Sequence, residues 1–228
     1  MDFAQIIRTH AARFAPVVPV DAATRITALD FTERNKALTE VLLNDTAAFS
    51  AYITQTLQKE GAAYGIGGYA EHRTIYSRSA VFDGADEPRR LHLGTDIWAP
   101  AGTPVFAPLQ AAIHSFAFND AFGDYGATLI LQHELDGLVF YTLYGHLGLA
   151  SIQNLREEDA VEQGSGIGTF GAPHENGQWP PHLHFQIILD LQGRKGDYPG
   201  VCRFSEREIY LANSPDPDLI LNLNRLIR

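Results

Sequence analysis

The chain is poor in the features that would carry it out of the cytosol or onto a polyanion. One cysteine, Cys202, allows no internal disulfide across 228 residues, so a reducing compartment and a small buried filler role are expected for it. Positive charge is scarce: Lys plus Arg number 17 against 27 Asp plus Glu, a formal net charge of -10 that disfavours nucleic acid and anionic membranes as partners. The opening residues, Met1-Asp2-Phe3-Ala4-Gln5-Ile6-Ile7-Arg8, have no basic stretch leading into a long apolar core. Neither a secretory leader nor a membrane span is therefore expected, and the placement is cytoplasmic. No solenoid-length repeat or low-complexity tract occurs. The glycine run Gly166-Ile167-Gly168-Thr169-Phe170-Gly171 fits G-x-G-x-x-G, but Pro173 and Asn176-Gly177 follow where a dinucleotide-binding fold needs a helix.

With 45% hydrophobic and 11% aromatic residues the chain can bury one substantial core, and one main domain is expected. Apolar residues Phe3, Ile6, Ile7 and Phe14 recur with His10 at helical spacing between an Asp2 cap and Pro16. Asn44 or Asp45 caps a second helix, 46–59, with Phe49, Tyr52, Ile53 and Leu57 on one face and Gly61 as its stop. From Tyr64 onward β-branched and aromatic runs alternate with turns, predicting strands over 73–77, 110–118, 127–134, 138–144 and 181–189 in a mostly antiparallel sheet. Asp136-Gly137 marks a tight hairpin, and the turn at 214–218 precedes a short helix bearing Leu219, Ile220, Leu223 and Ile227.

Two histidine clusters stand out, His92-Leu93-Gly94-Thr95-Asp96 and His182-Leu183-His184. Alternate strand residues share a face, so His182 and His184 leave the sheet together while Leu183, Phe185 and Ile187 pack the other side. Residues four apart in an extended strand lie roughly 13 Å apart, too far to grip one ion, so the chain must bend between His92 and Asp96, and Gly94 allows it. His92, Asp96 and one imidazole of the later pair then supply two nitrogens and one carboxylate oxygen, leaving a fourth tetrahedral position open, as a catalytic site requires.

His-x-x-x-Asp, then Tyr144-Gly145-His146-Leu147, then His-x-His resembles the lysostaphin-type, LytM-like zinc metallopeptidases over about residues 64 to 190. Leu91 to Pro108 is similar to that family's segment of His-x-Gly-x-Asp followed by an apolar stretch and an Ala-Pro-rich turn, and 164–171 to its glycine-rich strand before the final His-x-His. Within the family, the wording of 122–147, 179–187 and 196–202 is similar to a subgroup also found fused to kinase-like and class III aminotransferase-like domains. The resemblance implies an antiparallel β-sandwich or barrel-like core, the duplicated hybrid motif, with short helices at both ends. It divides the chain into an N-terminal helical segment, 1–62, a metallopeptidase-like β domain, 63–195, and a C-terminal extension, 196–228. It also implies one zinc ion per chain on His92, Asp96 and His184, with His146 and His182 as the catalytic imidazoles. Either could take a proton from water, return one to the leaving amine or steady the oxyanion.

The family's best-known work, cutting peptidoglycan cross-bridges outside the membrane, conflicts with the acidic composition and with the expectation of no leader. The leading expectation is a zinc-dependent endopeptidase or amidase acting on a small or glycine- or D-amino-acid-containing peptide. The alternative is a metal-binding accessory module with weak or no peptidase activity, serving a partner metabolic enzyme that handles small amino compounds. A purely structural zinc domain ranks third, since such sites favour four closed, cysteine-rich ligands. Around the site, the loop 172–180 with His174, Glu175, Asn176 and Trp179 is a candidate groove wall, Trp179 being equally suited to the core. Glu71, Arg73 and Arg78 are candidate substrate contacts or a salt-bridged strand edge. His10, His72, His114 and His133 show no ligand spacing.

Overall fold

In the computed structural model residues 3–82 and 86–227 are described; the expected Asp2 cap lies outside them. The strands are β1 Ile26–Leu29, β2 Tyr64–Gly67, β3 Leu91–His92, β4 Thr95–Trp98, β5 Pro104–Phe106, β6 Ala111–Asn119, β7 Gly126–Leu135, β8 Leu138–Leu147, β9 Ala160–Val161, β10 Gly166–Thr169, β11 His182–Ile188 and β12 Val201–Cys202. The helices are α1 Phe3–His10, α2 Glu40–Asn44, α3 Thr46–Glu60, α4 Arg207–Asn213 and α5 Asp218–Leu221. Eight strands form one sheet in the order β1-β2-β4-β11-β8-β7-β6-β9, while β5 pairs with β10 and β3 with β12. Every neighbouring pair in the large sheet is antiparallel except β1 with β2. The fold is mostly β, as expected; its large sheet runs from β1 to β9 and does not close into a barrel among the described residues.

Several expected elements appear with their chemistry visible. Asp136 and Gly137 both take positive φ, 52° and 77°, the combination a two-residue hairpin turn demands, and they join β7 to β8 in register Leu135 to Leu138. Asp45 caps α3 through the amides of Ala47 and Ala48, and Gly61 ends it in the left-handed conformation. Phe49, Ile53 and Leu57 of α3 enter a core with Phe31, Trp98 and Trp179, whereas Leu183, Phe185 and Ile187 enter the main core on the other face of β11. Phe3 and Ile7 of α1 cap that main core, Phe3 edge-on to Phe140 at 5.4 Å.

Three expectations fail locally. Residues 73–77 do not form a strand: after the Arg73 amide bonds the Arg90 carbonyl, a 3-10 turn covers Ile75–Arg78, and the Ser77 amide and hydroxyl both bond the Thr74 carbonyl in place of a ladder. The segment 1–62 is not only helical, since β1 adds a parallel edge to the sheet. The last helix stops after four residues, where the Asp218 carboxylate captures the amides of Leu223 and Asn224 and a 3-10 turn takes over. No helix among the described residues is long and apolar enough to cross a membrane.

Candidate metal centre and active site

The break between β3 and β4 falls at Leu93-Gly94, between the first two candidate ligands. A Cβ on Gly94 would lie 2.5 Å from His184 Cε1 and 2.8 Å from the Phe185 carbonyl oxygen, so glycine is required there by the His184 ring rather than by a left-handed turn. Asp96 faces His184 directly across the β4–β11 pair, and His92 is delivered by the short β3–β12 pair. His92, Asp96 and His184 are thereby brought together, all buried.

His92 Nε2, Asp96 Oδ1 and His184 Nδ1 form a triangle with sides of 3.0, 3.0 and 3.2 Å. Tetrahedral zinc with bonds of about 2.0–2.1 Å has ligand edges of about 3.3 Å, close to that triangle. The protons lie on the outside. His92 Nδ1 donates to the Gly68 carbonyl at 3.0 Å, an oxygen that can only accept. His184 Nε2 meets Gln186 Oε1 at 2.9 Å, and the Gln186 amide nitrogen is committed to the Pro199 carbonyl and the Ser214 hydroxyl, so that oxygen too must accept. In the neutral tautomers that these outer bonds select, His92 Nε2 and His184 Nδ1 face each other and a carboxylate oxygen without a proton. Burial, with Arg73 nearby, pushes His92 down to about 3 and keeps it neutral. Three converging lone pairs without a proton repel one another unless a cation sits among them, and the residues present fit a divalent ion.

Behind Asp96 stands Arg73, fully buried, donating to Asp96 Oδ2 at 2.5 Å, Glu71 Oε2 at 2.8 Å, the Tyr76 hydroxyl at 3.2 Å and the Gly68 carbonyl at 3.2 Å. Burial opposes its charge, but Tyr76, Asp96 and Glu71 outweigh that and hold its proton more firmly than usual. Burial alone would raise the Asp96 pKa, yet His92 and Arg73 keep it well below the ordinary carboxylate range.

His146 and His182 lie beside this triad with ring centres 4.1 Å apart. His146 Nδ1 donates to the Asn176 carbonyl and His182 Nδ1 to the Pro180 carbonyl, each at 2.8 Å, which leaves both Nε2 atoms as bare acceptors. The Trp98 indole stacks on His182 at 4.0 Å and 10°. Burial lowers both histidines, His182 to about 4 and His146 well below its ordinary value, so both are neutral bases at neutral pH. A bulge interrupts the β7–β8 pairing between Ala127 and Leu129 beside His146, and His146 itself takes φ 62°, a left-handed conformation uncommon for a non-glycine residue. Asp96, His146, His182 and His184 border a cleft of about 320 Å³ whose rim includes Tyr76, Arg89, Asp124, Trp179, Arg194 and Asp197.

Other candidates fall elsewhere. Glu175 and Asn176 serve the loop itself: the Glu175 carboxylate takes the amides of Ala172 and Leu149, and the Asn176 side chain ties Gly171 to Trp179. His174 is exposed, whereas Trp179 both packs the core and walls the cleft. Arg73 is neither a substrate contact nor a solvated edge. Arg78 is buried between Phe122 and Trp179 and donates from Nη2 to the Thr46 hydroxyl, with Nε and Nη1 lacking a hydrogen-bond partner among the described residues. His133 is a core histidine bonded to the Gln110 carbonyl and the Thr142 hydroxyl; His10 meets Asp136, His114 meets Ser115, and His72 is exposed. Sequence reasoning missed Gln186, which the two-residue strand period places on the face of His182 and His184, and it missed the Gly68, Asn176 and Pro180 carbonyls, which leave no mark in side-chain identity.

Residues 90–197 match the family model described as peptidase family M23. The chain is 30% identical over 142 residues to the L-Ala--D-Glu endopeptidase of Bacillus subtilis (strain 168), covering 56% of this chain and 41% of that protein. It is 35% identical over 103 residues to the DD-carboxypeptidase/endopeptidase Mpg of Neisseria meningitidis, 45% of this chain and 21% of that one. It is 30% identical over 112 residues to the peptidoglycan DD-endopeptidase ShyC of Vibrio cholerae, 45% of this chain and 23% of that one. The match thus spans less than half the length of each of these relatives. Among solved structures, the catalytic domain of lysostaphin from Staphylococcus simulans shares 20% identity at a TM-score of 0.41, covering 71% of this chain and 96% of that one. The family model and the curated relatives agree with the resemblance carried by the histidine motifs: over residues 90–197 this chain is similar to the M23 metallopeptidases, among them endopeptidases.

Proposed function

We propose that the protein is a zinc-dependent endopeptidase or amidase that hydrolyses a peptide bond in a small or glycine- or D-amino-acid-containing peptide, with His92, Asp96 and His184 as metal ligands and His146 and His182 as catalytic imidazoles. The observation that carries this reading is the proton arrangement. Three bare donor atoms converge at one point, and two more bare Nε2 atoms stand beside them at the wall of a cleft. Zinc bound there supplies a Lewis acid that polarises a carbonyl and acidifies water.

The chain's own residues account for the proton traffic. At rest neither His146 nor His182 carries a proton on Nε2, so neither can donate to an oxyanion until it has first accepted one. The first act of the pair is therefore that of a base toward the attacking water. The imidazolium so formed, disfavoured by burial, returns its proton to the leaving amine or lends it to the oxyanion. Asn176 and Pro180 hold the rings through their Nδ1 protons during both transfers, and Trp98 fixes the plane of His182. The similar relatives named for L-Ala--D-Glu and DD-endopeptidase activity support a peptide containing D-residues as substrate, and the lone buried Cys202 supports the cytoplasm as its place.

The test is incubation of zinc-loaded protein and its His182→Ala variant with oligoglycines, D-alanyl muropeptides and ordinary peptides, read by mass spectrometry. Cleavage by the parent alone is expected. Full zinc occupancy without any cleavage would replace this reading by that of an accessory module.

A further inference from the structure

We propose that Arg73 is a positioning residue of the metal centre: by occupying Asp96 Oδ2 it makes Asp96 a one-oxygen ligand and keeps the fourth coordination position free. This rests on the reading that His92, Asp96 and His184 hold a metal ion. Carboxylates bind metals through one oxygen or two, and a two-oxygen grip by Asp96 would fill the place that water or a carbonyl must take. Arg73 Nη1 holds Oδ2 at 2.5 Å, and only Oδ1 faces His92 Nε2 and His184 Nδ1.

The guanidinium is itself fixed. Its Nε is tied to Glu71, its Nη2 to the Gly68 carbonyl, and its plane packs 5.2 Å from the Phe31 ring centre. The same Gly68 carbonyl accepts the His92 Nδ1 proton, so one short stretch after β2 sets the orientation of two ligands at once. Gly67 keeps the space open, since a Cβ there would stand 2.7 Å from Arg73 Nη2. Buried ion pairs seldom add net stability over apolar packing, because desolvation cancels most of the attraction. A wholly buried Arg73 with Asp96 and Glu71 is therefore better explained by the orientation it imposes than by folding energy. Arg73, Glu71 and Gly68 all precede residues 90–197, the span that matches the family model.

The experiment uses the full chain loaded with zinc for structure determination and with cobalt for visible absorption, comparing the parent with Arg73→Gln and Arg73→Lys. The parent should show one Asp96 oxygen on zinc, Oδ2 on Arg73, and the intense bands of four-coordinate cobalt. Arg73→Gln should weaken and shift those bands as Oδ2 joins the ion, and Arg73→Lys should recover part of the parent spectrum. A two-oxygen Asp96 in the parent would overturn the inference even if peptide is still cleaved, as would parent-like bands in Arg73→Gln. If Arg73→Gln fails to fold, the zinc-loaded parent structure decides alone. Failure of the parent to take up either metal would overturn the metal reading and this inference with it, whereas one-oxygen Asp96 in a chain that cleaves nothing would leave the inference standing and remove only the peptidase.

Discussion

The metal triad and the histidine pair sit side by side but are built differently. The triad is held by side chains and charge drawn from the whole chain: Arg73 and Glu71 ahead of it, Gln186 on the same strand, Ser214 near the C-terminus. The pair is held by main-chain carbonyls of one loop, Asn176 and Pro180, and by aromatic faces. A ligand must present a bare atom at a fixed point, and a network converging from several directions fixes a point. A proton shuttle must have its charged form disfavoured but reachable: burial disfavours the imidazolium here, while the Asn176 and Pro180 carbonyls and the charge of Asp96 keep it within reach.

Breaking the triad should have the largest effect. His184→Ala removes a ligand and should abolish stoichiometric zinc; a full equivalent retained after dialysis, measured by metal analysis, would contradict the assignment. Next is the pair. His182→Ala should keep its zinc yet lose about 10²- to 10⁴-fold in hydrolysis, the usual contribution of a general acid or base, and an unchanged rate would remove His182 from the mechanism. Asn176→Ala tests whether the loop works as a holder. With the Gly171 and Trp179 bonds gone, unfolding free energy should fall by about 1–3 kcal/mol in urea titration and turnover by roughly tenfold, with zinc occupancy intact. Zinc lost in that variant would mean that the two regions are not separable.

The smallest expected effect is that of mild acid on rate. Because burial brings His182 down to about 4, its base form persists well below the ordinary histidine range, and the zinc-saturated rate should fall only as pH drops through about 4. A midpoint near 6.5 in the pH profile would show that the pair titrates like exposed imidazole. Stability follows the opposite ordering of states: below about 6.5 the unfolded chain takes up protons that the buried histidines refuse, so folding weakens between about 6.5 and 4.

The parts of this site legible from sequence are those set by strand period and turn chemistry. His182 and His184 had to share a face, Asp136-Gly137 had to turn, and a cap at Asn44 or Asp45 with a stop at Gly61 had to bound a helix, of which Asp45 serves as the cap. Arg73 was misplaced on a strand because Thr74 and Ile75 favour one, and only the Thr74–Ser77 turn and the buried charges override that preference. Gln186 was legible by the same period that found the histidines. β1 was not, for four residues that pair in parallel with β2, far along the chain, carry no local signature.

The left-handed backbone at His146 has an evolutionary consequence. A non-glycine residue there costs about 1 kcal/mol or more, which glycine would recover. Drift governed by folding alone would replace this imidazole, so the position sets stability against chemistry, and a chain that keeps histidine at 146 carries that strain in return for a base it could not otherwise aim.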